Sequence, residues 1–157
     1  MTINRVLALL AVPAVLVGSA ATAGATTVAV PPNDTMDTAT ELTVGRIVQD
    51  TREATNDADD MTIAEECGNV MAPQKGSVWY KVTATTDQVL TVDSAGSSYK
   101  VDLIGVRRSS PYHLFDCTTK NTKVTLNVKA GETVYLLSMS AFRGGGSAGT
   151  LHLTVTR

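Results

Sequence analysis

Asn121–Ser140 reads NTKVTLNVKAGETVYLLSMS. Val124, Leu126 and Val128 alternate with Thr125, Asn127 and Lys129, the two-residue period of a strand with one buried face. Ala130-Gly131-Glu132 supplies a turn. Thr133–Ser140 (TVYLLSMS) then runs mostly apolar over a strand's length, which marks a buried strand. Two strands joined by a short turn are the unit from which the rest of the chain can be read.

The same signals recur on both sides. Gly76–Ala84 (GSVWYKVTA) places Val78, Tyr80 and Val82 on one face and Trp79 and Lys81 on the other; Trp79 is the chain's single tryptophan and belongs with the core. Thr86-Asp87 is a tight turn before a strand at Gln88–Asp93. Tyr99–Arg107 carries apolar residues on both faces, as a central strand does. Thr40–Asp50 (TELTVGRIVQD) is β-rich, with Gly45 as a bulge or corner. Gly144–Gly149 is a flexible hairpin loop. Thr150–Thr156 closes the chain with Leu151, Leu153 and Val155 inward. No long stretch has the 3.6-residue period of a helix; one helical turn over Asp37–Leu42 is the exception. Short strands at this spacing define an all-β domain, a sandwich or a barrel. Thr51–Lys75 fits no strand and is expected to be a long surface excursion.

The chain has 157 residues, 43% hydrophobic and 18% charged, with a formal net charge of −2. That composition is globular, and the charge gives no general attraction to nucleic acid. Met1–Arg5 is a short basic start, Val6–Gly18 is an apolar run of 13 residues, and Ser19–Ala25 is made of small residues with two A-x-A patterns. These are the three parts of a secretory leader, with cleavage after Ala23 or Ala25. The run falls short of the ~20 residues that span a bilayer. The domains expected are therefore a leader at 1–25 and one folded domain at 26–157, secreted, with no membrane insertion. In an exported chain, Cys67 and Cys117 are expected to pair. Charge is segregated: Thr26–Glu66 holds ten acids and two arginines, and Cys67–Arg157 holds ten bases and five acids. Two such halves can complement one another within one fold.

A family resemblance rests on PPNDTMDTATEL (Pro31–Leu42), GSVWYKVTA, LTVDSAGSSYKVDLIGV (Leu90–Val106), VTLNVKAGETVYLLSMSA (Val124–Ala141) and GTLHLTV (Gly149–Val155). Together these segments resemble the bacterial pre-peptidase C-terminal domain, which is similar to the collagen-binding domains of clostridial collagenases. The resemblance implies a jelly-roll-like antiparallel β-sandwich of about eight strands, in an accessory, non-catalytic role outside the cell. It also implies calcium as the candidate cofactor. Here the leader leads straight into the domain, with no enzyme between them.

Two groups of residues are candidates for a site. Calcium needs six to eight oxygen ligands. Asn33 and Asp34 match an Asn-Asp pair that ligates calcium in the collagen-binding relatives, although the glutamates preceding that pair correspond to Ala29 and Pro31 here. Asp37, Asp57, Asp59 and Asp60 are the further candidate donors. Against this stands the ordinary use of Asn and Asp in turns and caps. The second group is Arg107-Arg108-Ser109-Ser110-Pro111-Tyr112-His113-Leu114-Phe115, a loop just before Cys117 that concentrates residue types favoured at recognition surfaces; Arg107, Arg108, Tyr112 and His113 are its candidate ligand-binding residues. The competing reading has Leu114 and Phe115 capping the sandwich edge while the arginines are solvated or pair with the acidic loop. No HExxH or Walker motif is present. The expected function is a binding module for an extracellular protein or polysaccharide. The alternative is a protease inhibitor or regulator that presents Arg107–His113.

Overall fold

A computed structural model describes residues 28–68, 76–109, 111–118, 122–141 and 147–157. The leader at 1–25, Ser110 and residues 144–146 of the Gly144–Gly149 loop lie outside the described residues. Among the described residues, nine strands form two stacked sheets. The five-stranded sheet has the order β1-β3-β8-β5-β6, and the four-stranded sheet β2-β9-β4-β7. The strands are β1 (Thr40–Glu41), β2 (Gly45–Asp50), β3 (Val78–Thr83), β4 (Gln88–Asp93), β5 (Val101–Arg107), β6 (His113–Cys117), β7 (Lys123–Val128), β8 (Thr133–Ser140) and β9 (Thr150–Thr156). The all-β sandwich is as expected. One pairing is not: β1 lies parallel to β3, while all other neighbours are antiparallel.

The inner faces follow the alternation of the sequence. Val78, Tyr80, Val82, Leu103, Val134 and Leu136 from one sheet meet Leu90, Val92, Leu126, Leu151, Leu153 and Val155 from the other. Burial of each such side chain stabilises by about 1.5–3 kcal/mol, so the two faces cannot slip by one residue without losing the core.

Two expectations are corrected, and a third, the corner at Gly45 within Thr40–Asp50, is met. The chain leaves the five-stranded sheet after Glu41 and enters the four-stranded sheet at Gly45, whose φ of 129° suits glycine. The helical turn expected over Asp37–Leu42 is a 3-10 turn at Met36–Thr38. Thr51–Lys75 is not wholly irregular, because Ala58–Glu66 forms a helix, α1. Its start is set by a capping box in which the Asp60 amide donates to the Asp57 side chain and the Asp57 amide donates back to Asp60.

That helix makes a third layer. Ile63 and Ala64 from α1, with Met36 and Ala39, cover the outer face of the five-stranded sheet. Beneath them lie Trp79, Ile104, Val106, Leu137 and Met139, all fully buried. β5 and β8 carry apolar residues on both faces because both faces are covered.

Candidate functional site

The two groups of candidate residues meet. Arg108 and Asp37 form an ion pair at 2.6 Å, and the Tyr112 hydroxyl donates to Asp59 at 2.8 Å. Two acids expected at a calcium site are thus bound to two residues expected at a recognition loop. The carboxylate of Asp37 raises the pKa of Arg108, and that of Asp59 raises the pKa of Tyr112. The segregated charge of the sequence is resolved here as contact between the acidic front and the basic back.

The expected loop is the tip of the β5–β6 hairpin. Arg107 ends β5 and His113 opens β6. Arg107 donates to Glu132 and to the Asn127 carbonyl, and its guanidinium lies 4.3 Å from the centre of the Phe115 ring. Glu132 is held below its ordinary pKa, first by the Lys129 amide and then by Arg107. Phe115 sits at a register shift between Gly105 and Val106. Its ring occupies the space a side chain at Gly105 would need. Phe115 packs on the inner core and Leu114 on the outer one, as the capping reading requires. Cys67, at the C-terminal end of α1, is disulfide-bonded to Cys117 at the end of β6, with Cα atoms 6.0 Å apart. The hairpin is therefore tied to its surroundings by Arg107–Glu132, Arg108–Asp37, Tyr112–Asp59 and the disulfide. Arg108, Ser109, Pro111 and His113 stay exposed at its tip.

The six residues proposed for calcium do not fit the ion as placed. Among the described residues no three His, Cys, Asp or Glu side chains gather as a metal-holding group. Both carboxylate oxygens of Asp34 are taken by Thr55, through its amide and its hydroxyl. Asn33 is buried; its amide donates to the Trp79 carbonyl at 2.9 Å and accepts from Gln49. Asp57 and Asp60 close the α1 capping box.

Asp60 was counted among surface acids, yet it is fully buried. It accepts from the Trp79 indole Nε1 at 2.7 Å and lies 2.6 Å from the Ser77 hydroxyl. Burial raises its pKa. The Asp57-x-x-Asp60 spacing was the available signal for its place in a cap.

A second feature was not foreseen. A groove of about 410 Å3 runs beside β1 and β2, lined by Asn33, Glu41, Ile47, Val48, Gln49 and Tyr80 among others. The Tyr80 hydroxyl donates to Gln49, which bonds Asn33 in turn. Burial pushes the Tyr80 phenol well above its ordinary pKa.

No family model matches the chain, and no curated protein matches it. Among solved structures it is similar to the pre-peptidase C-terminal domain of a collagenase from Bacillus anthracis. The identity is 13% and the TM-score 0.44, over 75% of this chain and 94% of that one. Among the described residues no helix is long and apolar enough to cross a membrane.

Proposed function

We propose that this chain is an exported, non-catalytic binding module whose β5–β6 hairpin engages an extracellular protein or polysaccharide. The observation that carries this reading is the fixing of the hairpin. A disulfide, two ion pairs and the Tyr112–Asp59 bond hold its base. Each exposed ion pair contributes little stability on its own, but together they restrict the positions the tip can take. A loop ordered beforehand loses less conformational entropy on binding. Arg108 and His113 then present a guanidinium and an imidazole beside Pro111. The leader-like start of the sequence supports export.

The test is direct binding of the purified chain to insoluble wall polysaccharide and to immobilised secreted proteins, in parallel. Arg108→Ala combined with His113→Ala is expected to weaken binding about tenfold or more while the melting temperature stays unchanged. Undiminished binding by that variant would remove the hairpin as the surface. Absence of binding to either class of target would overturn the module reading itself.

A further inference from the structure

A sheet edge exposes a row of backbone donors and acceptors, and folded proteins usually guard it. Four strands form edges here: β1 and β6 in one sheet, β2 and β7 in the other. β1 is only two residues long. β6 is broken by the register shift at Phe115 and tied by Cys117. In β7 the Thr125 amide donates to the Asp116 side chain at 2.9 Å. β2 has none of these protections. It is six residues long, pairs in continuous register with β9, and contains no proline, lysine or bulge. Among the described residues its backbone bonds no strand but β9. Val48 at its centre is 57% exposed and stands between Arg46 and Asp50 on the outer face.

The residues of β2 are also complementary to themselves. Arg46, Val48 and Asp50 share one face, opposite Thr154, His152 and Thr150 of β9. Place a second β2 antiparallel to the first about a two-fold axis at Val48. Each Val48 then faces the Val48 of the other copy. Each Arg46 faces an Asp50, and on the opposite face each Ile47 faces a Gln49. Cross-strand pairs of this kind are the ones that stabilise antiparallel ladders. A two-fold contact of this kind closes upon itself, so it yields a dimer and not a fibre. Asp50 already holds Arg52 of its own chain; an Arg46 from the second copy would add a further cation to the carboxylate.

We propose that β2 is a self-association edge, through which two copies of this chain join their four-stranded sheets into one continuous eight-stranded sheet. The occupant of the edge is a second copy because the charge order Arg46-x-Val48-x-Asp50 matches its own reverse.

The test is sedimentation equilibrium of the purified chain over a concentration series reaching about 1 mM, since a contact this small belongs to the weak class of interfaces. Dimer is expected. Val48→Lys sets two ammonium groups against each other at the axis and is expected to raise the dissociation constant at least about tenfold. Arg46→Asp and Asp50→Arg, each alone, oppose like charges and are expected to weaken the dimer. Combined in one chain they recreate opposite pairs and are expected to restore it. Melting curves of each variant confirm that the monomer still folds. A chain that stays monomeric throughout the series overturns the proposal. So does a dimer indifferent to Val48→Lys, or a double exchange that fails to restore association.

Discussion

Replacing Asp60 by alanine removes the acceptor at the centre of the α1 attachment. The Trp79 indole N–H would lose its partner in a fully buried site, at a cost of about 1–3 kcal/mol. The loss of the capping box adds about 1 kcal/mol. Together these lower stability by about 2–4 kcal/mol, or roughly 10 °C of melting temperature for a domain of this size. Asp60→Asn keeps an oxygen for the indole and is expected to cost far less. The two variants also differ in pH response. The Ser77 hydroxyl has one proton and faces two acceptors, the Thr55 carbonyl and Asp60. If that proton goes to Thr55, Asp60 must supply its own, which agrees with its raised pKa. A folded carboxyl with a raised pKa binds a proton that the unfolded chain releases. Its contribution to stability is therefore full below the ordinary carboxylate pKa and is lost as pH rises through the raised one. Asp60→Asn removes that slope. Thermal melting followed by Trp79 fluorescence, over a pH series that starts at the ordinary carboxylate pKa of about 4 and rises from there, reads both effects. An Asp60→Ala protein that melts with the wild type refutes the anchor. Parallel pH curves for Asp60→Asn and wild type refute the buried proton.

Serine at both Cys67 and Cys117 opens a link spanning 50 positions and is expected to cost about 4 kcal/mol, measured by denaturant unfolding. Gly105→Ala brings a methyl group to 2.6 Å from the Phe115 ring; the ring must move, and a melting experiment should show a loss of about 1–3 kcal/mol. Millimolar calcium against chelator is expected to leave the melting temperature within about 1 °C, because a ligand stabilises only the state it binds. A rise of several degrees would show that the Asn33–Asp60 donors regroup around the ion.

Legibility in the sequence followed the physical strength of each signal. Strands with one apolar face were plain, because Val124, Leu126 and Val128 can satisfy only a period of two. Gln88–Asp93, Thr133–Ser140 and Thr150–Thr156 have the bounds read from the sequence. The disulfide followed from compartment. Helix α1 escaped because it buries little: only Asp60, Ile63 and Ala64 face inward over nine residues. A hydrophobic stripe that narrow has no periodicity to find, and the cap at Asp57 was its one clear mark. The site was harder still. Asp37, Asp59, Arg108 and Tyr112 were all noticed, but their pairing depends on the 3-10 turn at Met36–Thr38, helix α1 and the β5–β6 hairpin converging over one sheet face. Separations of 71 and 53 positions between partners carry no local signal.

The link between Cys67 and Cys117 has a consequence for how the chain would respond to a cut in its backbone. The exposed tip at Ser109 lies between the two cysteines in sequence. A protease that severed the backbone there would release nothing, since both fragments would stay covalently joined and interleaved in the same two sheets. The damage would be visible only after reduction, as two bands where an unreduced gel shows one. A nicked copy would remain one covalent molecule, as an intact one is.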